Sequence, residues 1–389
     1  MFDYLTIDVA TSIFAKDNPY SQRNKMCLLG IKEPSGVSHI FNIEYSEKGY
    51  RDELEQIQEL LNRTKLIVAF NWKFDGAWLR RYGLDYSHCR IFDCQLFDFI
   101  TSGQVNTYPS LNKVAEVFGI EQKFDEVGKL WEQGIDTPDI PYPILSEYLE
   151  QNLVVTEQVY IAQMEKLHSL SREMQRLLSL SNQDLLVLLE MEWNGLVLDF
   201  DNMKVTSIEV QQQVEKLKGK IDDYFGSVPS MFRNYSSGDC LSCLLYGGTL
   251  LETKRTVIGV YKTGAKTGQP RFKIDYQEHV LPRRFVPPKG SELKKEGFFA
   301  TNEEVLRSIK GNKEERLIID MLLSMSKLEK LDSTYYHGLA KLHEEKDWEE
   351  GVIHGQFNMC VARTGRLSSS APNLQNLPSE MDQMTVSRF

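Results

Sequence analysis

Short apolar segments alternate with helical patterns over the first hundred residues, and this alternation restricts the folds that the chain can adopt. The apolar segments are rich in branched and aromatic residues, which favours strands. The predicted strands are 2–9, 26–32, 37–43 and 66–70, and the predicted helices are 50–62 and 74–82. The pattern predicts an α/β domain with a mixed sheet and helices packed on it.

The chain has 389 residues, a length that predicts two or three domains. We expect a first α/β domain at 1–168, a mostly helical region at 169–345 and a short final segment at 346–389. Within the helical region, residues 254–296 carry eleven Lys and Arg residues against four acidic ones, although the chain has a net charge of -10. This segment is predicted to be basic, exposed and rich in strands or loops.

Composition excludes two classes of protein. No run approaches the ~20 apolar residues that cross a bilayer, so no membrane partner is expected. Six cysteines are too few for a disulfide scaffold of this length. We therefore expect a cytoplasmic protein, in the host cytoplasm if a phage encodes it.

Candidate catalytic residues cluster in the first domain. Asp8 lies at the end of the first predicted strand, and Asp75 lies early in a predicted helix. Tyr148 and Asn152 are four residues apart on a later helix and share a face. Clustered carboxylates can hold two divalent ions for phosphodiester hydrolysis.

The sequences Asp8-Val9-Ala10, Asn71-Trp72-Lys73-Phe74-Asp75 and Tyr148-Leu149-Glu150-Gln151-Asn152 resemble the three motifs of DEDD-type 3′→5′ exonucleases in their Tyr branch. The resemblance implies a ribonuclease H-like fold, a single-stranded 3′ end as ligand, and catalytic roles for Asp8, Asp75 and Tyr148. It also implies Mg²⁺, with Mn²⁺ as an alternative, bound by Asp8 and Asp75.

Two carboxylates of that family pattern are missing. Ala10 stands where the family has Glu, and Asn152 stands where it has the last Asp. An alanine offers no ligand, and an amide lacks the charge that a hard cation prefers. The sequence therefore predicts a site that binds the 3′ end and hydrolyses it very poorly.

Residues 363–378 are dense in short polar side chains and contain two arginines. Arginine can reach minor-groove acceptors, and Ser, Asn and Gln suit phosphate and sugar contacts. A polar surface loop is the alternative. The stretch resembles the Thr-Gly-Arg-Leu-Ser-Ser…Pro-Asn-Leu-Gln-Asn motif of family A DNA polymerases, phage-type members included.

That resemblance implies that 169–345 is a thumb and 346–389 is the start of a palm. It also implies primer–template contacts by Arg366, Thr364, Asn373, Gln375 and Asn376. The basic thumb segment at about 254–296 is expected to bind duplex phosphates, to dock a processivity factor, or simply to be solvated. Its candidate DNA-binding residues are Lys254, Arg255, Lys262, Lys266, Arg271 and Lys273.

The family's palm carboxylate motifs and its fingers helix do not occur before Phe389. We therefore expect this chain to need a second polymerase chain for nucleotide addition, or to be a truncated product. Two alternatives remain: a catalytically silent DNA-holding subunit, and a stand-alone DEDD exonuclease. The motif at 364–378 argues against the second.

Overall fold

The computed structural model describes residues 2–45, 50–121, 126–264 and 267–384. The chain packs as two compact units. The first contains Met1–Phe200 and Leu339–Phe389, and the second contains Asp201–Gly338. The domain limits at 168 and 345 stay predictions.

A five-stranded mixed sheet organises the first unit. Its strands are β1 (Leu5–Thr11), β2 (Met26–Lys32), β3 (Ser38–Asn42), β4 (Leu66–Ala69) and β5 (Arg90–Asp93). Their order is β3-β2-β1-β4-β5, with β2 antiparallel to both neighbours and β4 parallel to β1 and β5. The predicted mixed sheet is confirmed, and the strands predicted at 26–32, 37–43 and 66–70 lie close to those positions. The prediction was wrong for the first strand, which runs over Leu5–Thr11 and not 2–9, so that Asp8 lies within β1 and not at its end. Strand β5 was not predicted.

Seven helices of the first unit cover and extend this sheet. They are α1 (Tyr50–Asn62), α2 (Trp72–Arg81), α3 (Cys94–Thr101), α4 (Leu111–Val117), α5 (Glu126–Glu132), α6 (Tyr142–Ser169) and α7 (Arg172–Asn194). The long helix α6 packs on β1, β2 and β3. Gly30 on β2 permits this approach, because a Cβ there would lie 2.8 Å from Leu153 Cδ1. None of the helices in the described ranges is both long and apolar enough to span a membrane.

The short strand β6 (Leu196–Val197) follows α7. Helix α8 (Phe200–Tyr224) leads into the second unit. The second unit also contains α9 (Gly238–Tyr246), β7 (Gly248–Val260), β8 (Pro270–Leu281), α10 (Glu303–Ser308) and α11 (Lys313–Leu331). Its core joins Phe225, Leu244 and Leu245 to Ile318 and Leu322 of α11. Strands β7 and β8 form an antiparallel two-stranded ribbon, which includes 254–260 and 270–281 of the predicted basic segment.

The final segment returns to the first unit with α12 (His337–Lys346), β9 (Val352–Ile353), β10 (Gln356–Asn358) and β11 (Ser368–Ser370). Strand β9 pairs with β6, and β10 pairs with β11. Gly195 fits this junction because its φ is +63° and a Cβ would lie 2.7 Å from the Ile353 carbonyl oxygen. The His354 ring stacks on Tyr20, with ring centroids 4.2 Å apart.

Candidate functional site

Asp8 and Asn152 meet across the contact between β1 and α6. The Asn152 Nδ2 donates a hydrogen bond of 2.8 Å to Asp8 Oδ2. Tyr148 lies one helical turn before Asn152, and its ring contacts the edge of Trp131 at a centroid distance of 5.8 Å. Ala10, two residues beyond Asp8 and on the same strand face, is 3% exposed inside an apolar cluster.

Asp75 lies in the first turn of α2 and is buried. Burial, followed by the nearby charges of Asp8 and Asp93, raises the pKa of the Asp75 carboxyl well above its usual value. Its Oδ1 atom is buried and has no hydrogen-bond partner among the described residues. The structure thus places Asp8, Asp75 and Asn152 in one group.

Asp93 was not among the sequence-predicted site residues, although it shapes the site. Its carboxylate accepts hydrogen bonds from the backbone N–H of Leu96 (2.9 Å) and of Trp72 (2.7 Å). It therefore caps α3 and also holds the start of α2, which carries Asp75. An Asp between a short strand and an apolar helix is a recognisable N-cap signal in the sequence. No local sequence signal indicates the second contact of Asp93, with the N–H of Trp72.

The residues present do not fit a pair of divalent cations. Within the described ranges no three His, Cys, Asp or Glu side chains are grouped so that they could hold a metal ion. The Asn152 amide donates a hydrogen bond to Asp8 Oδ2. If Asp8 bound a cation, it would offer this oxygen to the cation. Two-metal hydrolysis needs several anionic oxygens at once, and this group supplies only Asp8 and Asp75.

A cavity of about 580 Å³ adjoins the start of α2. It opens at the carboxyl ends of the parallel strands β4 and β5, the edge where open α/β sheets bind ligands. Asn71, Phe74 and Gln95 line one side, and Gln356, Asn358 and Ser368 line the other.

Asn71 adopts a left-handed conformation with φ 68°, and its side chain makes no cap hydrogen bond. The Asp93 carboxylate binds the first N–H groups of α2 instead. The Asn71 amide therefore remains available at the cavity wall. A strained residue that is held in place by its neighbours is often part of a functional site.

The predicted polymerase-type residues lie on the loop around β11. Thr364 and Arg366 are exposed, and the Arg366 guanidinium has no ion pair within the described part of the chain. Asn373 Oδ1 accepts a hydrogen bond of 3.0 Å from the Gln375 N–H, and Gln375 Nε2 donates to the Leu367 carbonyl at 3.3 Å. Asn373 and Gln375 thus shape this loop, while Asn376 ends its short helical turn Leu374–Asn376.

The predicted basic residues belong to the second unit, whereas Asp8 and Asp75 belong to the first. Lys254 Nζ donates to Gln277 Oε1 at 2.8 Å, and Lys273 pairs with Asp275 at 2.9 Å. The other three that the structure describes, Arg255, Lys262 and Arg271, are exposed. Lys266 lies outside the described residues.

The sequence and the fold both correspond to those of DNA polymerases. The family model described as "DNA polymerase family A" matches residues 274–388. The structure is similar to the POL domain of Pol1 from M. smegmatis, solved in complex with DNA primer-template and dNTP. The TM-score is 0.65 at 17% identity, covering 97% of this chain and 53% of that one.

Two curated relatives are similar in sequence over longer stretches. DNA polymerase I of Bacillus subtilis is 24% identical over 332 residues, which is 85% of this chain and 30% of that protein. The thermostable DNA polymerase I of Thermus filiformis is 30% identical over 236 residues, or 60% of this chain and 21% of that protein. The resemblance to family A DNA polymerases is thereby confirmed. The chain spans less than a third of the length of these two relatives.

Proposed function

We propose that this chain is the DNA-binding part of a replicative family A DNA polymerase, with a ribonuclease H-like domain that binds a single-stranded 3′ end and hydrolyses it very poorly. One observation carries the proposal: the Asn152 amide donates to Asp8 where the exonuclease pattern expects a carboxylate. The family match at residues 274–388 supports the polymerase part. We also propose 1–168 as the exonuclease-type domain, 169–345 as the thumb and 346–389 as the first palm segment.

The lost carboxylates explain why hydrolysis would fail. Ala10 is packed against apolar side chains, so no oxygen atom replaces the missing Glu. The Asn152 N–H satisfies Asp8 as a neutral donor and brings no negative charge. The residues that would hold Mg²⁺, or Mn²⁺ in its place, are Asp8 and Asp75. Two carboxylates are too few to hold a pair of these cations.

The cavity beside Asn71 is suited to unpaired bases. Phe74 and Tyr108 offer aromatic rings for stacking, which is worth ~1–3 kcal/mol per base. The amides of Gln95 and Asn358 offer hydrogen-bonding groups for base edges. Lys73 at the wall is already paired with Glu192, so the phosphates would remain outside.

On the polymerase side, Arg366 would contact the primer-terminal base pair, with Thr364, Asn373, Gln375 and Asn376 near it. Nucleotide addition would be completed by a second polymerase chain that carries the remaining palm and fingers. The β7–β8 ribbon would bind duplex phosphates or a processivity factor through its basic residues. Phosphate contacts of this kind weaken steeply with salt.

The test compares the unchanged chain with Ala10→Glu/Asn152→Asp on a primer–template with a frayed, labelled 3′ end and Mg²⁺. We expect both proteins to bind the DNA and only the doubly substituted one to shorten the primer. A matched control, Ala10→Glu/Gln151→Asp, adds the same charges but places the second on the neighbouring, half-buried residue. Rapid hydrolysis by the unchanged chain would refute the account of the lost carboxylates.

A catalytically silent DNA-holding subunit is the second candidate, and the same missing carboxylates favour it. It differs in one outcome. If the doubly substituted protein binds the frayed end but leaves it intact, the first domain is a platform for DNA and not a disabled exonuclease. If neither protein binds primer–template at low salt, both readings are wrong.

A further inference from the structure

Two lysines of the first unit lie close together, and neither has a carboxylate as its partner. Lys16 lies in the loop after β1, and Lys346 is the last residue of α12. The Lys346 Nζ donates a hydrogen bond of 3.1 Å to the carbonyl oxygen of Ala15, the residue before Lys16. Burial, followed by the charge of Lys16, lowers the pKa of the Lys346 ammonium group, so the two cations are close enough to repel each other.

The acidic residues beside these lysines are engaged elsewhere. Two of them form the ion pairs Asp347–Arg23 at 3.8 Å and Glu345–Lys341 at 3.6 Å. Asp17 lies near Asp136, and burial, followed by the charge of Asp136, raises the pKa of the Asp17 carboxyl to about 6. Within the part of the chain that the structure describes, neither Lys16 nor Lys346 is in an ion pair.

Contacts between the loop after β1 and the end of α12 hold the two lysines in place. The Trp348 Nε1 donates a hydrogen bond of 3.3 Å to Asn18 Oδ1, and the Gln22 N–H donates one of 3.0 Å to the Asp347 carbonyl oxygen. Lys16 itself has a left-handed backbone with φ 61°, as do both of its neighbours. A strained conformation of this kind persists where its surroundings determine it, and it is often part of a functional site.

Two neighbouring cations repel each other unless an anion lies between them. The negative end of the helix dipole favours a cation at the end of α12, which accounts for Lys346 but not for a second lysine beside it. An ammonium group has three N–H donors, and the Ala15 carbonyl uses only one of those on Lys346. A phosphate group has several acceptor oxygens and a negative charge, so it can accept hydrogen bonds from both lysines.

The loop that carries Lys16 also forms part of the cavity proposed for unpaired bases. Pro19 and Tyr20 line that cavity. Three residues span at most about 11 Å, so the Cα atom of Lys16 lies within that distance of the Cα atom of Pro19. Lys73 in the cavity wall is paired with Glu192 and does not serve a phosphate. Lys16 and Lys346 therefore supply positive charge that the cavity wall lacks.

We propose that Lys16 and Lys346 together bind a backbone phosphate of the single strand whose bases enter this cavity. The inference rests on the proposed function, from which it takes the strand. The anion site is argued from the two lysines alone. A free nucleotide or pyrophosphate offers the same chemistry, so the experiment has one arm for the anion site and one for the strand.

Inorganic pyrophosphate tests the anion site without any DNA. A ligand that binds only the folded state raises the melting temperature. We expect millimolar pyrophosphate to raise the melting temperature of the unchanged chain above its value in sodium chloride of equal ionic strength. Lys16→Met and Lys346→Met should show no such rise. Lys113→Met, which removes an exposed lysine on α4, is the matched control and should respond like the unchanged chain.

A labelled primer–template with a frayed 3′ end tests whether the strand is the ligand. Each phosphate contact on a single strand adds about 0.7 to the slope of log K against log salt concentration. Lys16→Met should bind the frayed end more weakly and with a slope smaller by about 0.7. Its disadvantage against the unchanged chain should therefore shrink about 2.6-fold between about 0.05 and 0.2 M salt. Lys113→Met should keep the slope of the unchanged chain.

Two results would overturn the proposal. One is a pyrophosphate effect that is absent from the unchanged chain or equal in both lysine variants. The other is binding of the frayed end by Lys16→Met and Lys346→Met with unchanged affinity and slope, which leaves the proposed function intact. If the unchanged chain binds no DNA at low salt, the proposed function fails and with it the strand as ligand, whereas the pyrophosphate arm still decides on the anion site.

Discussion

A buried ion pair fastens the final segment of the chain to the first domain, and its removal should be costly. Lys73 Nζ donates to Glu192 Oε1 and to the Phe357 carbonyl oxygen. The same Glu192 oxygen accepts a hydrogen bond of 2.6 Å from the Phe357 N–H. The Glu192 side chain is 7% exposed and the Lys73 side chain 15%, so water replaces little of what is lost.

We expect Glu192→Ala to lower the free energy of unfolding of the first unit by about 3–5 kcal/mol, because it leaves a buried ammonium group without its partner. Glu192→Gln should cost less, about 1–3 kcal/mol, since Gln can still accept from the Phe357 N–H. Lys73→Met/Glu192→Leu should cost less than Glu192→Ala, because no charge then remains buried.

Urea unfolding followed by tryptophan fluorescence measures these differences for all four proteins. With a slope of about 1–3 kcal/mol per molar urea, the Ala variant should lose at least 1 M in its midpoint. The reasoning fails if Glu192→Ala changes stability by less than about 1 kcal/mol. It also fails if the double variant is less stable than Glu192→Ala.

Two further changes test the backbone and the electrostatics of the first unit. Gly195→Ala should destabilise by about 2 kcal/mol or more, because the residue has φ +63° and a Cβ would lie 2.7 Å from the Ile353 carbonyl oxygen. Gly83→Ala, with φ +74° and nothing within 4 Å, should show the smaller backbone cost alone in the same thermal melts. Burial, followed by the charge of Asp136, raises the pKa of Asp17 to about 6, so ionised Asp17 destabilises the fold at neutral pH. Asp17→Asn should therefore raise the melting temperature at pH 7–8, and the gain should vanish as both states protonate below pH 4; an equal gain at every pH would contradict this.

Sequence patterns located the elements of the sheet because those elements are defined locally. The strand at 26–32 was predicted from an apolar segment and the helix at 50–62 from a helical pattern, and both have the predicted bounds. Apolar character alone does not show which side chains of a helix are buried. Leu177 and Leu178 are neighbours on α7, yet Leu177 is 43% exposed and Leu178 is 4% exposed.

The contacts that build the candidate site join distant parts of the chain, and no local pattern encodes them. Asn152 and Asp8 are 144 residues apart, and Lys73 and Phe357 are 284 apart. The motif resemblance did place Asp8, Asp75 and Asn152 in one group, because a family pattern carries long-range information. The motif resemblance carried no information about Asp93, which also accepts a hydrogen bond from the backbone of α2.

Ala10 and Asn152, which stand where the exonuclease pattern has carboxylates, should also stabilise the fold. This effect can be measured without any nuclease assay. Ala10 packs with Leu28 and Leu149, so Ala10→Glu puts a carboxylate into an apolar cluster near Asp8 and Asp75. Asn152→Asp exchanges a hydrogen bond to Asp8 for repulsion between like charges. We expect the double variant to be less stable than the unchanged chain by about 3 kcal/mol or more without divalent cations. Mg²⁺ should raise its melting temperature and leave that of the unchanged chain unaltered, because only the folded double variant offers four carboxylates to the cation. If Mg²⁺ stabilises both proteins equally, the two native carboxylates already hold a cation and the proposed loss of hydrolysis needs another cause.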